Sequence, residues 1–146
     1  MVLQLMILMQ FLFKVLVLRL INKNEINIFN KQFKYLGRTK GNSCSVICQK
    51  SLDGHGKGVA AAWMLNSAIQ IFQSGIILVN WNTDNIDLDF EVNVYLIFNN
   101  RSIKIPEIKV VLIKSFGFGQ VDGEAFVIHP DHLFDILNDK TIPNYN

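Results

Sequence analysis

The chain has 146 residues, of which 50% are hydrophobic and 18% charged, as expected for one ordinary folded domain. The hydrophobic content excludes intrinsic disorder, and a formal net charge of +2 excludes the strongly basic surface of a typical nucleic-acid-binding protein. Two cysteines are too few for a disulfide scaffold, so we expect a reducing compartment, the cytoplasm.

Residues 1–21 form a hydrophobic leader that differs from the rest of the chain. They hold 17 hydrophobic residues and no acid, whereas the other 125 residues carry twelve bases and twelve acids. A signal peptide is not indicated, because no basic n-region and no small-residue cleavage site is present. A membrane-spanning segment needs about 20 apolar residues, and this one is interrupted by four polar or charged residues: Gln4, Gln10, Lys14 and Arg19.

The next segments predict helix, strand and helix. Residues 23–36 place four apolar side chains on one helical face, before a natural stop at Gly37. Residues 45–48 predict a short buried strand. Residues 58–73 predict a second helix ending near Gly75, apolar nearly all round and therefore buried on every side. The apolar face of the first helix consists of Ile26, Phe29, Phe33 and Leu36.

The second half of the chain predicts a loop and several strands. The polar stretch from Asn80 to Asp89 is typical of a loop in which Asn side chains cap turns. Strands are predicted at Val92–Phe98, Lys109–Lys114 and Glu124–His129. The order of elements indicates a layered α/β or α+β fold.

The densest polar cluster runs from Lys50 to Gly58, with the sequence KSLDGHGKG. His55 lies between two glycines at a strand-to-helix turn, where a substrate can approach the backbone closely. Lys50, near the strand end, can reach back toward His55. The alternative is a polar turn with a solvated histidine.

A second cluster, with the sequence SFGFGQ, follows a predicted strand at Ser115. Backbone N–H groups freed by Gly117 and Gly119 can hold an oxyanion. A hairpin turn with two core aromatics, Phe116 and Phe118, explains the same residues equally well.

The other candidate ligands and nucleophiles favour structural roles. His129 and His132 lack the further ligands that zinc needs, so a surface turn before a short helix is expected and no metal site is predicted. Cys44 and Cys48 share one face of a strand and are expected to be buried thiols.

Taken together, these motifs resemble the β-ketoacyl synthases. KSLDGH followed by Gly-x-Gly and an Ala-rich helix is similar to the family's K-x-x-T-G-H block, and SFGFG is similar to its terminal loop. GHGKGVAAAWMLN, NWNTDNID and IHPDHLF resemble the ketosynthase domain of fungal-type fatty acid synthase α subunits. The resemblance covers about residues 22–135, so we assign 22–137 to a β-ketoacyl synthase C-terminal region and 138–146 to a tail.

The resemblance implies an α/β, thiolase-like layered fold, of which this chain holds an incomplete C-terminal portion. It implies decarboxylative condensation of malonyl-[acyl-carrier-protein] with an acyl thioester in fatty acid biosynthesis. By resemblance, His55 and Lys50 are catalytic, Phe118 gates the acyl pocket, and Phe116, Gly117 and Gly119 border the substrate. The substrate would arrive on the phosphopantetheine of an acyl carrier protein, and no cofactor is expected in this region.

Partners implied by the resemblance are the acyl carrier protein, the rest of the α subunit, the β subunit and a second ketosynthase domain in a homodimer. No nucleic acid or membrane partner is expected. Asp53 departs from the family Thr and places an acid two residues from His55. Further departures from the fungal pattern are Gly56, Val59, Ala61 and Trp81.

Two family blocks are missing from the sequence. The nucleophilic Cys belongs to the N-terminal half of the family domain, and neither Cys44 nor Cys48 lies in its motif. The first His belongs to an H-G-T-S-T block expected directly before Asn22. We therefore expect this chain alone to be inactive. The alternatives are a non-catalytic remnant that associates with an intact synthase, and a membrane-associated protein that uses residues 1–21.

The leader has a third explanation, translation out of frame. Ile, Asn and Lys supply 18, 15 and 11 residues, which indicates A/T-rich coding DNA. Permitted codons for Val15–Ile21, read with two bases dropped, encode T-S-T-K-A-N, which matches the end of the family's longer stretch F-H-G-T-S-T-K-A-N. We predict a frameshift near codon 21, and genomic DNA that does not encode the block in another frame would contradict it.

Overall fold

A computed structural model describes residues 6–10, 19–49, 54, 56–81, 94–116 and 122–136. Within them the helices are α1 (Arg19–Tyr35), α2 (Ala60–Ser74) and α3 (Leu133–Ile136), with 3-10 turns at Lys57–Val59 and Pro130–His132. The strands are β1 (Met6–Gln10), β2 (Cys44–Cys48), β3 (Ile76–Ile77), β4 (Leu96–Phe98), β5 (Ile103–Lys104), β6 (Val110–Phe116) and β7 (Asp122–Ile128).

Five strands form one sheet in the order β4-β2-β1-β6-β7. The first four strands of that order are parallel, and β7 completes an antiparallel hairpin with β6. Strands β3 and β5 form a separate antiparallel pair. The central strand β1 comes from the hydrophobic leader, so residues 6–10 are part of the sheet.

Helix α1 covers one face of the sheet. Its residues Ile26, Phe29 and Phe33 pack on Val46 of β2 and Leu112 of β6 within one buried cluster. Three of the four predicted face residues are therefore buried, but Leu36 lies in the turn after the helix and is exposed. Gly37 has φ of +72°, which confirms the predicted stop.

Helix α2 covers the opposite face, where alternate residues of the same strands point. Met64, Ala68 and Ile71 pack on Ile47 of β2 and Val111 of β6. The result is a three-layer arrangement of helix, sheet and helix. The helix ends as predicted at Gly75, which has a left-handed φ of +69° and donates its backbone N–H to the carbonyl of Ile71.

The expectation that α2 is buried on every side is wrong. Its outer face is exposed, with relative exposures of 52% at Trp63, 44% at Leu65 and 46% at Ile69. In the part of the chain that the structure describes, nothing covers that face. Periodicity reports that a helix is apolar, but it does not report whether a second layer is present.

The strand predictions are confirmed with shifted ends. The strand predicted at Val92–Phe98 is shorter in the structure, since β4 begins at Leu96 after a turn at residues 94–95. Residues 92–93 lie outside the described residues. Strands β6 and β7 begin and end within two residues of the prediction. No helix in the described ranges is both long and apolar enough to cross a membrane.

Candidate active site

The carboxyl ends of β2, β1 and β6 meet at one edge of the sheet. Gln10 at the end of β1 is in register with Cys48 of β2 on one side and with Lys114 of β6 on the other. One intervening strand places the backbones of β2 and β6 about 10 Å apart. The two predicted motifs continue the chain after β2 and after β6, so both start from this edge, where ligands of open parallel sheets bind.

Most predicted site residues lie outside the described residues, namely Lys50, His55, Gly117, Phe118 and Gly119. The structure describes residues that flank these positions in the sequence. Phe116 ends β6 and pairs with Asp122 of β7, so residues 117–121 connect the two strands along the chain.

The residues on either side of His55 are exposed glycines. Gly54 has φ of +74°, a left-handed conformation that side chains other than glycine seldom adopt. The 3-10 turn then leads from Gly56 directly into α2. The predicted glycine-rich turn between strand and helix is confirmed at these positions.

Asn80 anchors the end of β2 and was not predicted to do so. Its Nδ2 donates to the carbonyl of Val46 at 2.7 Å, and its Oδ1 accepts from the N–H of Cys48 at 2.7 Å. Beyond the end of β4, the Asn80 side-chain amide thus makes the hydrogen bonds to β2 that the backbone of a neighbouring strand would make. A turn-capping role, predicted from the polar stretch, is wrong for this buried residue. Its place at the start of the NWNTDNID motif was the available signal.

A second anchor ties β2 to α2. The buried Gln49 donates from Nε2 to the carbonyl of Trp63 at 3.1 Å. Beside it lies a pocket of about 210 Å³, lined by Gln49, Leu78 and the α2 residues Trp63, Asn66 and Gln70 among others. The strand end that precedes Lys50 is therefore held from two sides.

The two cysteines are buried thiols, as predicted. Burial raises the pKa of the Cys44 thiol to about 12, against a smaller opposing effect of Arg38. A thiol protonated at neutral pH is a poor nucleophile. Cys44 faces α1 within the core and not the edge that carries the motifs.

His129 and His132 lie in the turn that leads into α3, as predicted. His132 Nε2 lies 3.0 Å from the carboxylate of Glu107, and the ring of His129 packs edge-on against Phe72. Both side chains thus fasten the C-terminal turn to neighbouring elements.

Comparison with known proteins identifies the source of this arrangement. The chain is 47% identical over 124 residues to the fatty acid synthase subunit alpha of Candida albicans and 43% identical over 124 residues to that of Saccharomyces cerevisiae. Each match covers 85% of this chain and 7% of the relative, so the chain spans less than a tenth of those proteins. No family model matches the chain.

A solved structure supports the fold independently. The ketosynthase FabY from P. aeruginosa superposes with a TM-score of 0.75 at 23% identity, over 92% of this chain and 20% of that one. The match to FabY shows the fold alone, whereas the sequence identity to the fungal α subunits shows common ancestry. The chain is therefore a relative of part of the fungal fatty acid synthase α subunit, and it has the thiolase-like fold of part of a ketosynthase.

Proposed function

We propose that the chain supplies the C-terminal portion of a β-ketoacyl synthase active site. The observation that carries this proposal is the common edge from which both motif segments start, after β2 and after β6. The family reaction joins a malonyl unit, which loses CO₂, to an acyl thioester on an enzyme cysteine. The carbon–carbon bond forms as the thioester bond breaks and releases the thiolate.

Each motif has a role in that reaction. A neutral imidazole N–H of His55 donates to the enolate oxygen that develops as malonyl loses CO₂. The ammonium of Lys50 orients His55 and adds positive potential. The backbone N–H of Phe118 contributes to an oxyanion hole and its ring gates the acyl pocket, while Phe116, Gly117 and Gly119 border the substrate.

This chain alone does not perform the condensation. The covalent step needs an activated thiolate. Cys44 is buried and has a raised pKa, and Cys48 is buried beside it on the same strand. Neither thiol occupies the family's nucleophile motif, so we expect neither to accept the acyl chain.

The partners follow from the same reaction. The acyl carrier protein delivers its substrate on a phosphopantetheine arm, and this region itself holds no cofactor. The rest of an α subunit would supply the nucleophile, beside the β subunit and a second ketosynthase domain. The compartment is the cytoplasm.

Incubation of the purified chain with acyl-loaded and malonyl-loaded acyl carrier protein tests this proposal. We expect no β-ketoacyl product above a His55→Ala control, measured by mass spectrometry of the carrier arm. An intact fungal synthase in parallel shows that the substrates are competent. Product well above the His55→Ala variant would contradict the proposal that the nucleophile is missing.

A second candidate is a non-catalytic protein that associates with an intact synthase. The uncovered apolar face of α2, with Trp63, Leu65 and Ile69, favours it. Co-purification of the chain with a full-length α subunit, abolished by Trp63→Gln with Ile69→Gln, would support this candidate.

A further inference from the structure

A lysine lies fully buried in β6, the strand that holds the first two residues of the SFGFG motif, whose remainder is called the SFGFG loop below. Lys114 of β6 has no exposed surface, although it lies within a strand of otherwise mostly apolar residues. It is directly opposite Glu124 of β7 in the register of the hairpin, and the two side chains form an ion pair. A charge at this depth is expensive unless it is paired and hydrogen-bonded.

Helix α1 completes the environment of this pair. The Nζ of Lys114 lies 4.4 Å from the centroid of the Phe29 ring, a cation–π geometry. Gln32 donates from Nε2 to both carboxylate oxygens of Glu124, at 3.2 and 3.3 Å. The pair therefore connects three elements, α1, β6 and β7.

The pair lies close to the loop that carries Phe118. Beyond it only two further ladder positions remain, Ser115 opposite Gly123 and Phe116 opposite Asp122, before residues 117–121 begin. A slip of one residue in a hairpin moves every side chain to the other face. The ion pair forms when Lys114 and Glu124 lie opposite each other, so it favours one register of the hairpin. That register determines which face each residue at the end of β6 lies on, directly before residues 117–121.

We propose that Lys114 and Glu124 are positioning residues that fix the register of the β6–β7 hairpin, from which the SFGFG loop extends. This inference rests on the proposed function, which gives that loop its role. Neither residue touches substrate. They act through the hairpin, and Gln32 and Phe29 transmit the position of α1 to it.

Amide hydrogen exchange on the full chain, followed by mass spectrometry, tests this proposal without substrate. Glu124→Gln keeps the shape but leaves the Lys114 charge buried without its carboxylate. We expect the melting temperature to fall and peptides covering 115–123 to exchange roughly ten-fold faster. Lys109→Met is the matched control, since it removes the more exposed ion pair with Glu107 at the other end of β6.

The double variant Lys114→Met with Glu124→Gln separates positioning from stability. Removing both charges removes the burial penalty, so we expect the melting temperature to return to that of the parent. Exchange at 115–123 should stay roughly ten-fold faster while α2 peptides match the parent. Recovery of both temperature and loop exchange would overturn the proposal. Failure of the condensation proposal would leave this measurement unchanged, because no substrate takes part.

Discussion

Buried polar side chains mark the end of the sheet where the motifs start. Gln49, Asn80 and Lys114 are each buried, and each binds a neighbouring element. Burying such groups destabilises a fold unless their hydrogen bonds are made. Their partners come from distant parts of the chain, so the sequence alone shows three polar residues without showing what they bind. The candidate motifs, in contrast, are local and were predictable.

At Asn80, substitution by alanine removes the bonds to the Val46 carbonyl and the Cys48 N–H. Because both strand groups are buried, we expect the free energy of unfolding to fall by about 2 kcal/mol. Urea denaturation measures it, with the exposed Asn100→Ala as control, expected to change stability by less than about 0.5 kcal/mol. Equal effects of the two substitutions would contradict the anchoring role.

At Cys44, the raised pKa makes stability depend on alkaline pH. Burial raises the pKa of this thiol in the folded state to about 12, whereas in the unfolded chain the thiol ionises near its ordinary pKa of 9.0. Its contribution is therefore complete below pH 9 and is lost between pH 9 and 12, at up to about 1.4 kcal/mol per pH unit.

Denaturation at pH 8, 9, 10 and 11 tests this expectation. In Cys44→Ala, the free energy of unfolding should fall less steeply above pH 9 than in the parent. In Cys48→Ala, the decrease caused by ionisation of Cys44 should remain. An unchanged slope in Cys44→Ala would show that this thiol does not resist ionisation in the folded state.

Among the elements, α2 shows what periodicity can and cannot predict. Its bounds and its stop at Gly75 followed from sequence. Its surroundings did not, because an apolar helix has the same pattern whether one or two layers cover it. Strand β1 was missed for a related reason. A continuous apolar run has no alternation, and such runs fit helix or strand equally.

Two neighbouring positions on α2 distinguish the covered face from the open one. Met64 is buried against the sheet, and Leu65 faces outward with 44% of its surface exposed. We expect Met64→Ala to lower the free energy of unfolding by about 2–5 kcal/mol. Leu65→Ala should lower it by less than about 0.5 kcal/mol. Both are measured by chemical denaturation, and comparable losses would contradict the one-sided packing.

For the whole molecule, the strand order explains how β2 and β6, which precede the two motifs, end at the same edge of the sheet. The chain matches 7% of the fungal α subunits and 20% of the ketosynthase structure. We propose that the rest of a larger domain covers the open face of α2 and supplies the nucleophile of the family. The central claim is that residues 22–135 act inside such a domain.

A chimera tests that claim most directly. Residues 22–135 replace the matching segment of the Candida albicans α subunit, which is then assembled with its β subunit and assayed for β-ketoacyl product. We predict that condensation is retained and that His55→Ala lowers its rate at least about 100-fold. A folded, assembled chimera that forms no product, or whose rate is indifferent to His55→Ala, would contradict the account.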